Sequence, residues 1–229
     1  MLTKLLRGIL VIGWLWAGLA IAVSSEFTEG KHYNKLPIKA LENPLVDELK
    51  KEIKPGQVKV IEFFSYGCVW CYRLDPALAA WLKTKPDYIQ FERVPVVFQA
   101  SWKDLTRTYY TAEALQALDK IHEPLFRAIH TEKLDMTQQG ALKTFFVNQG
   151  IEAKSFDDTF GSFTIERKLK WAESIGQLFK VTRIPALVVL TPEAAYLSTV
   201  SMAGNEENLI KLVNQFAQEA QEKSKTQGA

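Results

Sequence analysis

Cysteine and histidine are scarce in this 229-residue chain, which has two cysteines and three histidines. Two cysteines permit one intramolecular disulfide bond, so a framework of several disulfides is excluded. Metal binding is disfavoured because a zinc site needs about four ligands. His32, His122 and His130 stand at no recognised spacing from the cysteines. These histidines are predicted to be ordinary surface or helix-end residues.

An excess of one charge is also missing. Removing Lys4 and Arg7 from the 28 basic residues leaves 26, which equals the 26 acidic residues. No run of five or more like charges occurs, whereas a nucleic-acid-binding protein usually carries clustered basic residues, so this function is set aside. Internal repeats and low-complexity segments are absent, and the 47% hydrophobic content is typical of a folded protein with a sizeable core.

The first 22 residues have the pattern of a secretory signal peptide. Lys4 and Arg7 precede an apolar stretch, and Ala20-Ile21-Ala22 has the small-x-small pattern of a signal-peptidase site. An uncleaved membrane anchor is the alternative, but a spanning helix needs about 20 apolar residues and this stretch is shorter. Export would place both cysteines in an oxidising compartment, where thiols are expected to pair.

Hydrophobic periodicity predicts an α/β domain interrupted by an inserted helical domain. Strands are predicted at 58–64, 88–94, 186–190 and 196–200, and helices at 45–53, 68–85 and 206–221. Between them, helices are predicted at 105–118, 123–130, 137–148, 155–160 and 165–179, with Pro124 in a first turn and Ser155 with Asp158 as a capping pair. The predicted division is a signal peptide at 1–22, α/β domain parts at 23–100 and 181–222, a helical domain at 101–180 and a frayed polar tail at 223–229.

The motif Cys68-Val69-Trp70-Cys71 follows a predicted buried strand and begins a predicted helix. At a helix N-terminus, unpaired backbone N–H groups and the helix dipole stabilise a thiolate and lower its pKa. Cys68 is therefore predicted to be the exposed, reactive sulfur and Cys71 its more buried partner. A purely structural disulfide is the alternative, but a ring this small stabilises by only about 2 kcal/mol.

Two further residues are candidates for this chemistry. Glu62 alternates with apolar residues on its strand, and burial without a partner would raise its pKa, so it could exchange a proton with Cys71 through water. The alternative is that Glu62 is solvated at an open strand end. Pro185 opens the strand after the helical block, where a rigid turn could lie beside the cysteines.

The chain resembles the DsbA family of periplasmic thiol:disulfide oxidoreductases over nearly all of its mature part. The resemblance rests on the cysteine motif, on the helical insertion and on four segments, which are 27–33, 61–68, 156–163 and 184–186. It implies a thioredoxin fold interrupted by the inserted helical domain. It also implies that Glu62 is the family's buried acid, and that Pro185 is the cis-proline that packs against the disulfide and helps to hold substrate.

The chain departs from the family's best-known motif, Cys-Pro-His-Cys, because Val69 and Trp70 occupy the middle positions. Loss of the histidine removes a cationic hydrogen-bond donor beside the Cys68 thiolate, which predicts a weaker oxidant. Arg183 stands where the family often has glycine. It could restore positive potential near Cys68, or it could simply be solvated.

The function that the resemblance implies is donation of the Cys68–Cys71 disulfide to unfolded or reduced exported proteins in the periplasm. No other cofactor is expected. Reoxidation would come from a DsbB-type membrane partner, and the protein is expected to be a monomer. Tyr66, Trp70 and Ile184 are predicted to form an apolar surface for substrate peptide. The alternatives are a reductase or isomerase kept reduced by a membrane partner, and a periplasmic chaperone-like peptide-binding module.

Overall fold

The computed structural model describes residues 26–37, 43–54 and 56–227. The predicted signal peptide lies outside the described residues. Within the described ranges, no helix is both long enough and apolar enough to cross a membrane.

Five strands form one mixed sheet. They are β1 (Asn34–Pro37), β2 (Val58–Phe64), β3 (Ile89–Pro95), β4 (Ala186–Leu190) and β5 (Ala194–Thr199). Their order across the sheet is β1-β5-β4-β2-β3. β2 pairs parallel with β3 and antiparallel with β4, and the remaining pairs are antiparallel. β2 and β4 are buried along their whole length, as their nearly continuous apolar sequences predict.

Helices surround this sheet. They are α1 (Pro44–Lys51), α2 (Val69–Thr84), α3 (Lys103–Ala114), α4 (Leu118–His130), α5 (Gln139–Asn148), α6 (Ala153–Phe160), α7 (Phe163–Leu178), α8 (Val200–Ala203) and α9 (Glu206–Gln227). The helices α3 to α7 follow one another between β3 and β4. An α/β sheet interrupted in sequence by a block of helices is therefore the observed architecture, as predicted.

Hydrophobic residues pack against both faces of the sheet. Val188 and Leu190 of β4 join a core that includes Phe126 of α4 and Ile175 of α7. Leu187 and Val189 of β4, which point the opposite way, join a second core with α2 and α9. The helices α3 to α7 thus share a core with one face of the sheet.

The predicted start of α4 is wrong. The helix begins at Leu118 rather than at residue 123, so Pro124 lies inside the helix and not in its first turn. The preceding helix ends at Ala114, and Gln116 adopts a φ of 53° in the turn that follows. Glycine usually occupies this left-handed conformation, so the sequence lacks the usual marker of a helix end.

Two further predictions of helix ends are also wrong. α6 begins at Ala153 after Glu152, so Ser155 is not its N-cap, and Asp158 pairs with Lys154 instead. α9 continues to Gln227, through most of the tail that was predicted to fray. Hydrogen bonds between side chains four residues apart, such as Gln218 with Glu222, support this polar last part of the helix.

Candidate active site

The active-site loop, residues 65–67, joins the end of β2 to the start of α2. Cys68 is the N-cap of α2, and its backbone N–H donates to the Ser65 carbonyl at 3.0 Å. Trp102 packs directly on Gly67, since a Cβ atom at this position would lie 2.3 Å from the indole Nε1. A larger residue at position 67 would therefore require the indole ring or the loop to shift.

The Cys68 sulfur lies at the N-terminus of α2, where the Cys71 backbone N–H donates to it at 3.3 Å. A hydrogen bond with the Cys71 side chain lowers the pKa of Cys68 to about 7. Partial burial opposes this effect, and the backbone N–H groups of Cys71 and Trp70 reinforce it. No acidic residue in the first turn of the described helix opposes the thiolate. The position of Cys68 at the N-terminus of α2 therefore gives it the low pKa that the sequence predicts.

The predicted exposure of the two cysteines is only partly correct. Cys71 is fully buried, as expected, but Cys68 is also buried, with 7% of its surface exposed. The Cys68 thiol donates to the Ile184 carbonyl oxygen at 3.8 Å. Burial raises the pKa of Cys71 far above its usual value, and the neighbouring Cys68 adds to the effect. Cys71 is therefore the sulfur that holds its proton.

Pro185 lies beside the cysteines because β4 pairs with β2. Ala186 is the register partner of Phe63, so the residue before β4 is placed near the end of β2 and the active-site loop. The Ile184–Pro185 peptide bond is cis, and Pro185 is buried. The geometry thus brings together Cys68, Cys71 and the Ile184–Pro185 turn, as the sequence analysis expected.

Glu62 is buried, but it is not without a partner as the sequence analysis assumed. Arg93, its register neighbour on β3, donates from Nε to the Glu62 Oε2 atom at 2.8 Å. Burial raises the pKa of Glu62, and the nearby charges of Arg93 and His122 only partly offset this rise. The alternative of a solvated carboxylate at an open strand end is excluded by its 2% exposure.

Arg93 also donates to Asp75 of α2, at 3.1 Å. His122 of α4 lies on the other side of Asp75, with its Nε2 atom 3.0 Å from the same carboxylate oxygen. Burial raises the pKa of Asp75, but His122 and Arg93 outweigh it and hold the pKa below its usual value. We call Glu62, Asp75, Arg93 and His122 the buried charge cluster.

Two histidines that were predicted to be ordinary surface or helix-end residues contact the active-site loop. His122 Nδ1 lies 2.9 Å from the Tyr66 hydroxyl, and His130 Nε2 lies 2.7 Å from the Tyr66 carbonyl oxygen. The His130 ring also stacks on Tyr72 of α2, with the ring centres 5.0 Å apart. The surface prediction fails because α4 lies against this loop, although His130 does stand at the end of its helix.

The predicted peptide-docking surface is partly wrong. Tyr66 is fully buried, because its ring packs against Phe64 and Phe126, so it cannot form an exposed surface. Trp70 is 55% exposed, with the Arg73 guanidinium 4.5 Å from its ring centre. Ile184 is partly exposed. Trp70 and Ile184 remain available at the surface beside Cys68.

Sequence reasoning missed Asp75, Arg93 and Trp102. Asp75 carried a usable signal, since it lies four residues after Cys71 on the face of α2 that carries Leu74 and Leu78. Arg93 carried no signal until the pairing of β2 with β3 was known. Trp102 carried none because its contact with Gly67 joins residues that are far apart in the sequence. Among the residues that the structure describes, no group of three or more potential ligands could hold a metal ion.

A Cys-x-x-Cys pair at the start of a helix, next to a cis-proline in a mixed sheet, defines the thioredoxin-like class of proteins. Residues 87–209 match the family model described as the DSBA-like thioredoxin domain. The chain belongs to this family. The matched residues include the helical block and Pro185, whereas the cysteines precede them.

Curated relatives and solved structures agree with this assignment. The chain is similar to the thiol:disulfide interchange protein DsbA of Bordetella pertussis, with 32% identity over 71% of this chain and 76% of the relative. It is 27% identical to DsbA of Pseudomonas aeruginosa over 84% of this chain and 85% of the relative. The crystal structure of Pseudomonas aeruginosa DsbA superposes with a TM-score of 0.75 at 25% identity, covering 88% of this chain and 98% of that one.

Proposed function

We propose that this protein is a periplasmic thiol:disulfide oxidoreductase that donates a Cys68–Cys71 disulfide to unfolded or reduced exported proteins. The observation that carries the proposal is the difference between the two cysteines. Cys68 caps α2 with a pKa lowered to about 7 by its contacts with Cys71, while burial holds Cys71 as a thiol. Disulfide transfer requires one sulfur that leaves readily as a thiolate, next to a second sulfur that does not.

Donation takes two exchange steps. A substrate thiolate attacks the Cys68 sulfur, the bond between Cys68 and Cys71 breaks, and Cys71 leaves with the electron pair and takes up a proton. A second substrate thiolate then attacks the substrate sulfur of the mixed disulfide and releases Cys68 as a thiolate. The substrate has lost two electrons and the protein has gained them. Glu62, whose pKa is raised by burial, is the group that we assign to proton exchange with Cys71 through water.

Substrate chains dock beside Cys68 in this proposal. Trp70 supplies an exposed aromatic ring, Ile184 a partly exposed aliphatic side chain, and Pro185 the cis peptide bond next to them. Tyr66, which was expected to take part, instead supports the active-site loop from within the core.

The remaining elements of the proposal are supported by the resemblance to the DsbA family and by the sequence pattern. A DsbB-type membrane protein reoxidises the cysteine pair, the redox-active disulfide is the only cofactor, and the protein acts as a monomer. Residues 1–22 direct export to the periplasm, and residues 101–180 form the inserted helical domain.

Oxidative refolding of a reduced, unfolded protein tests this function. Oxidised wild-type protein should restore the activity of the substrate protein, whereas Cys68→Ser should leave it at the uncatalysed rate. In a redox buffer, where oxidised glutathione supplies the oxidant, Cys71→Ser should accumulate a mixed disulfide with substrate through Cys68, because the variant has no second thiol to resolve it. If Cys68→Ser retained full activity, the protein would be a binding module rather than an oxidoreductase.

A reductase is the second candidate, and one observation favours it. The pKa of about 7 for Cys68 is near the roughly 7 of the thioredoxin cysteine and above the roughly 3.5 of the strong oxidant. Val69 and Trp70 supply no cationic donor to the thiolate. Equilibration with glutathione measures the reduction potential of the cysteine pair and so distinguishes the two functions. A reduction potential of about −120 mV would support disulfide donation, and one of about −270 mV would support the reductase.

A further inference from the structure

The helical block contributes one member of the buried charge cluster. The other three members lie on elements next to the active-site loop. Glu62 is on β2 and Asp75 is on α2, which flank the loop in sequence, and Arg93 is on β3, which pairs with β2. His122 comes from α4 and reaches Asp75 across 47 residues of sequence. The four side chains form one continuous chain of contacts from Glu62 to the loop residue Tyr66.

When Glu62 is ionised, the cluster without His122 is short of one positive charge. Glu62 and Asp75 are two carboxylates, and Arg93 is the one guanidinium that contacts both. Both carboxylates are at most 9% exposed, so solvent compensates little of their charge. An imidazolium at position 122, in contact with Asp75, would make the number of positive and negative charges equal.

Tyr66 allows His122 to take this charge without rearrangement. A tyrosine hydroxyl can either donate or accept a hydrogen bond. It can therefore donate to Nδ1 of a neutral His122, or accept from Nδ1 of a charged one, over the same 2.9 Å distance. Nε2 can donate to Asp75 in both cases. Besides Asp75 and Tyr66, the ionisable groups near His122 are Glu62, Tyr109 of α3 and Arg93. Arg93 donates to the same Asp75 oxygen and is the one positive charge among them that opposes a charge on His122.

The charge of the cluster acts on both sulfurs. The negative charge of Glu62 raises the pKa values of Cys68 and Cys71, after the larger effects of their own contact and of burial. His122 in turn acts electrostatically on Glu62. Only the reduced protein carries a thiolate, so a more negative cluster favours the disulfide and a more positive cluster favours the dithiol.

We propose that His122 is a positioning residue for the redox pair. Its positive charge compensates the negative charge of Asp75, so that the charge of Arg93 compensates that of Glu62. This arrangement favours the reduced state of Cys68 and Cys71. The inference rests on the proposed function, because it concerns the same redox pair. It means that a residue of the helical block contributes to the oxidising strength of the cysteines.

Glutathione equilibration of His122→Gln at pH 7 tests the proposal. Glutamine has the hydrogen-bonding groups but not the charge. The equilibrium should shift toward the oxidised protein by about fivefold to tenfold, where tenfold corresponds to about 30 mV. Thiolate absorbance should show Cys68 ionising at a higher pH than in the wild type. His32→Gln is the matched control, since His32 contacts Thr28 and Phe27 outside the cluster, and it should change neither quantity.

A second substitution distinguishes charge from packing. Asp75→Asn in the His122→Gln background removes one carboxylate, leaves Glu62 with Arg93, and should return the equilibrium to within about twofold of the wild type. If packing were responsible, the double variant would depart further from the wild type than the single one. That result, or a His122→Gln protein indistinguishable from the wild type, would overturn the proposal.

The outcomes also separate this inference from the proposed function. A wild-type pair that does not exchange with glutathione contradicts the function itself. A wild-type pair that exchanges, with His122→Gln unchanged, contradicts only the role of His122. If His122→Gln does not fold, as judged by circular dichroism, His122→Asn takes its place in both comparisons.

Discussion

At the scale of single residues, Gly67 has the tightest constraint in the active-site loop. An added Cβ would lie 2.3 to 2.7 Å from three atoms of the Trp102 ring, so Gly67→Ala must displace the indole or the loop. We expect a loss of about 1–3 kcal/mol in the free energy of unfolding, measured by urea denaturation. Thiolate absorbance should also show a higher pKa for Cys68, because the loop positions the N-cap of α2.

Gly140→Ala is the matched control for that substitution. No atom lies within 4 Å of an added Cβ at Gly140, which is in the first turn of α5. Its stability should stay the same or rise by up to about 1 kcal/mol. Equal losses in the two variants would show that the contact with Trp102 does not limit position 67.

The sequence located the residues that lie next to one another along the chain, but not their distant partners. Cys68 and Cys71 were found because both belong to one local motif at a helix N-terminus. The partner of Glu62 was missed because Arg93 is 31 residues away and is brought close only by strand pairing. His122 was interpreted as an ordinary surface or helix-end residue for the same reason, since its contact with Asp75 depends on how α4 packs against α2.

At the scale of secondary structure elements, His130 ties the end of α4 to the active-site loop and α2. Burial lowers the pKa of His130, the bond to the Tyr66 carbonyl opposes this, and Lys133 reinforces it. A histidine with a depressed pKa in the folded state stabilises the protein fully above its unfolded pKa of about 6.5, and this contribution is lost as the pH falls through the folded value.

We therefore expect His130→Gln to flatten the pH dependence of stability on the acid side. Urea denaturation of both proteins at pH 7.5, 6.5 and 5.5 gives the comparison. The wild type should lose more of its free energy of unfolding between pH 6.5 and 5.5 than the variant does. Parallel losses would mean that other groups, rather than His130, determine the slope in this range.

Elements with one strong local pattern were predicted well. β2 and β4 have the predicted limits because both are short, mostly apolar runs bounded by turn residues. Their short length and their β-branched and aromatic residues favour a strand covered on both faces. β1 was not among the predicted strands, because its four residues Asn-Lys-Leu-Pro show little strand propensity and depend on pairing with β5. α4 was started too late because no glycine marks the end of α3.

At the scale of the whole molecule, the ionisation of Cys68 links redox state to stability. The pKa of Cys68 in the folded, reduced protein is about 7, mainly because of its contact with Cys71, against about 8.5 for a free cysteine. For an acidic group with a depressed folded pKa, the stabilisation is fully present above the unfolded pKa and is lost as the pH falls through the folded one. The relevant window is therefore from about pH 8.5 down to about pH 6.

Reduced wild-type protein should accordingly lose stability relative to reduced Cys68→Ser as the pH falls from 8.5 to 6. The shift of the pKa corresponds to about 2 kcal/mol, and screening by solvent reduces this to about 1–2 kcal/mol. Urea denaturation in the presence of a reductant at both pH values measures it. The oxidised wild type provides the control, because a disulfide has no thiolate to protonate and should show only the smaller loss that other groups such as His130 cause. If the oxidised and reduced proteins lost stability in parallel, the thiolate at the start of α2 could not be the group that links folding to reduction.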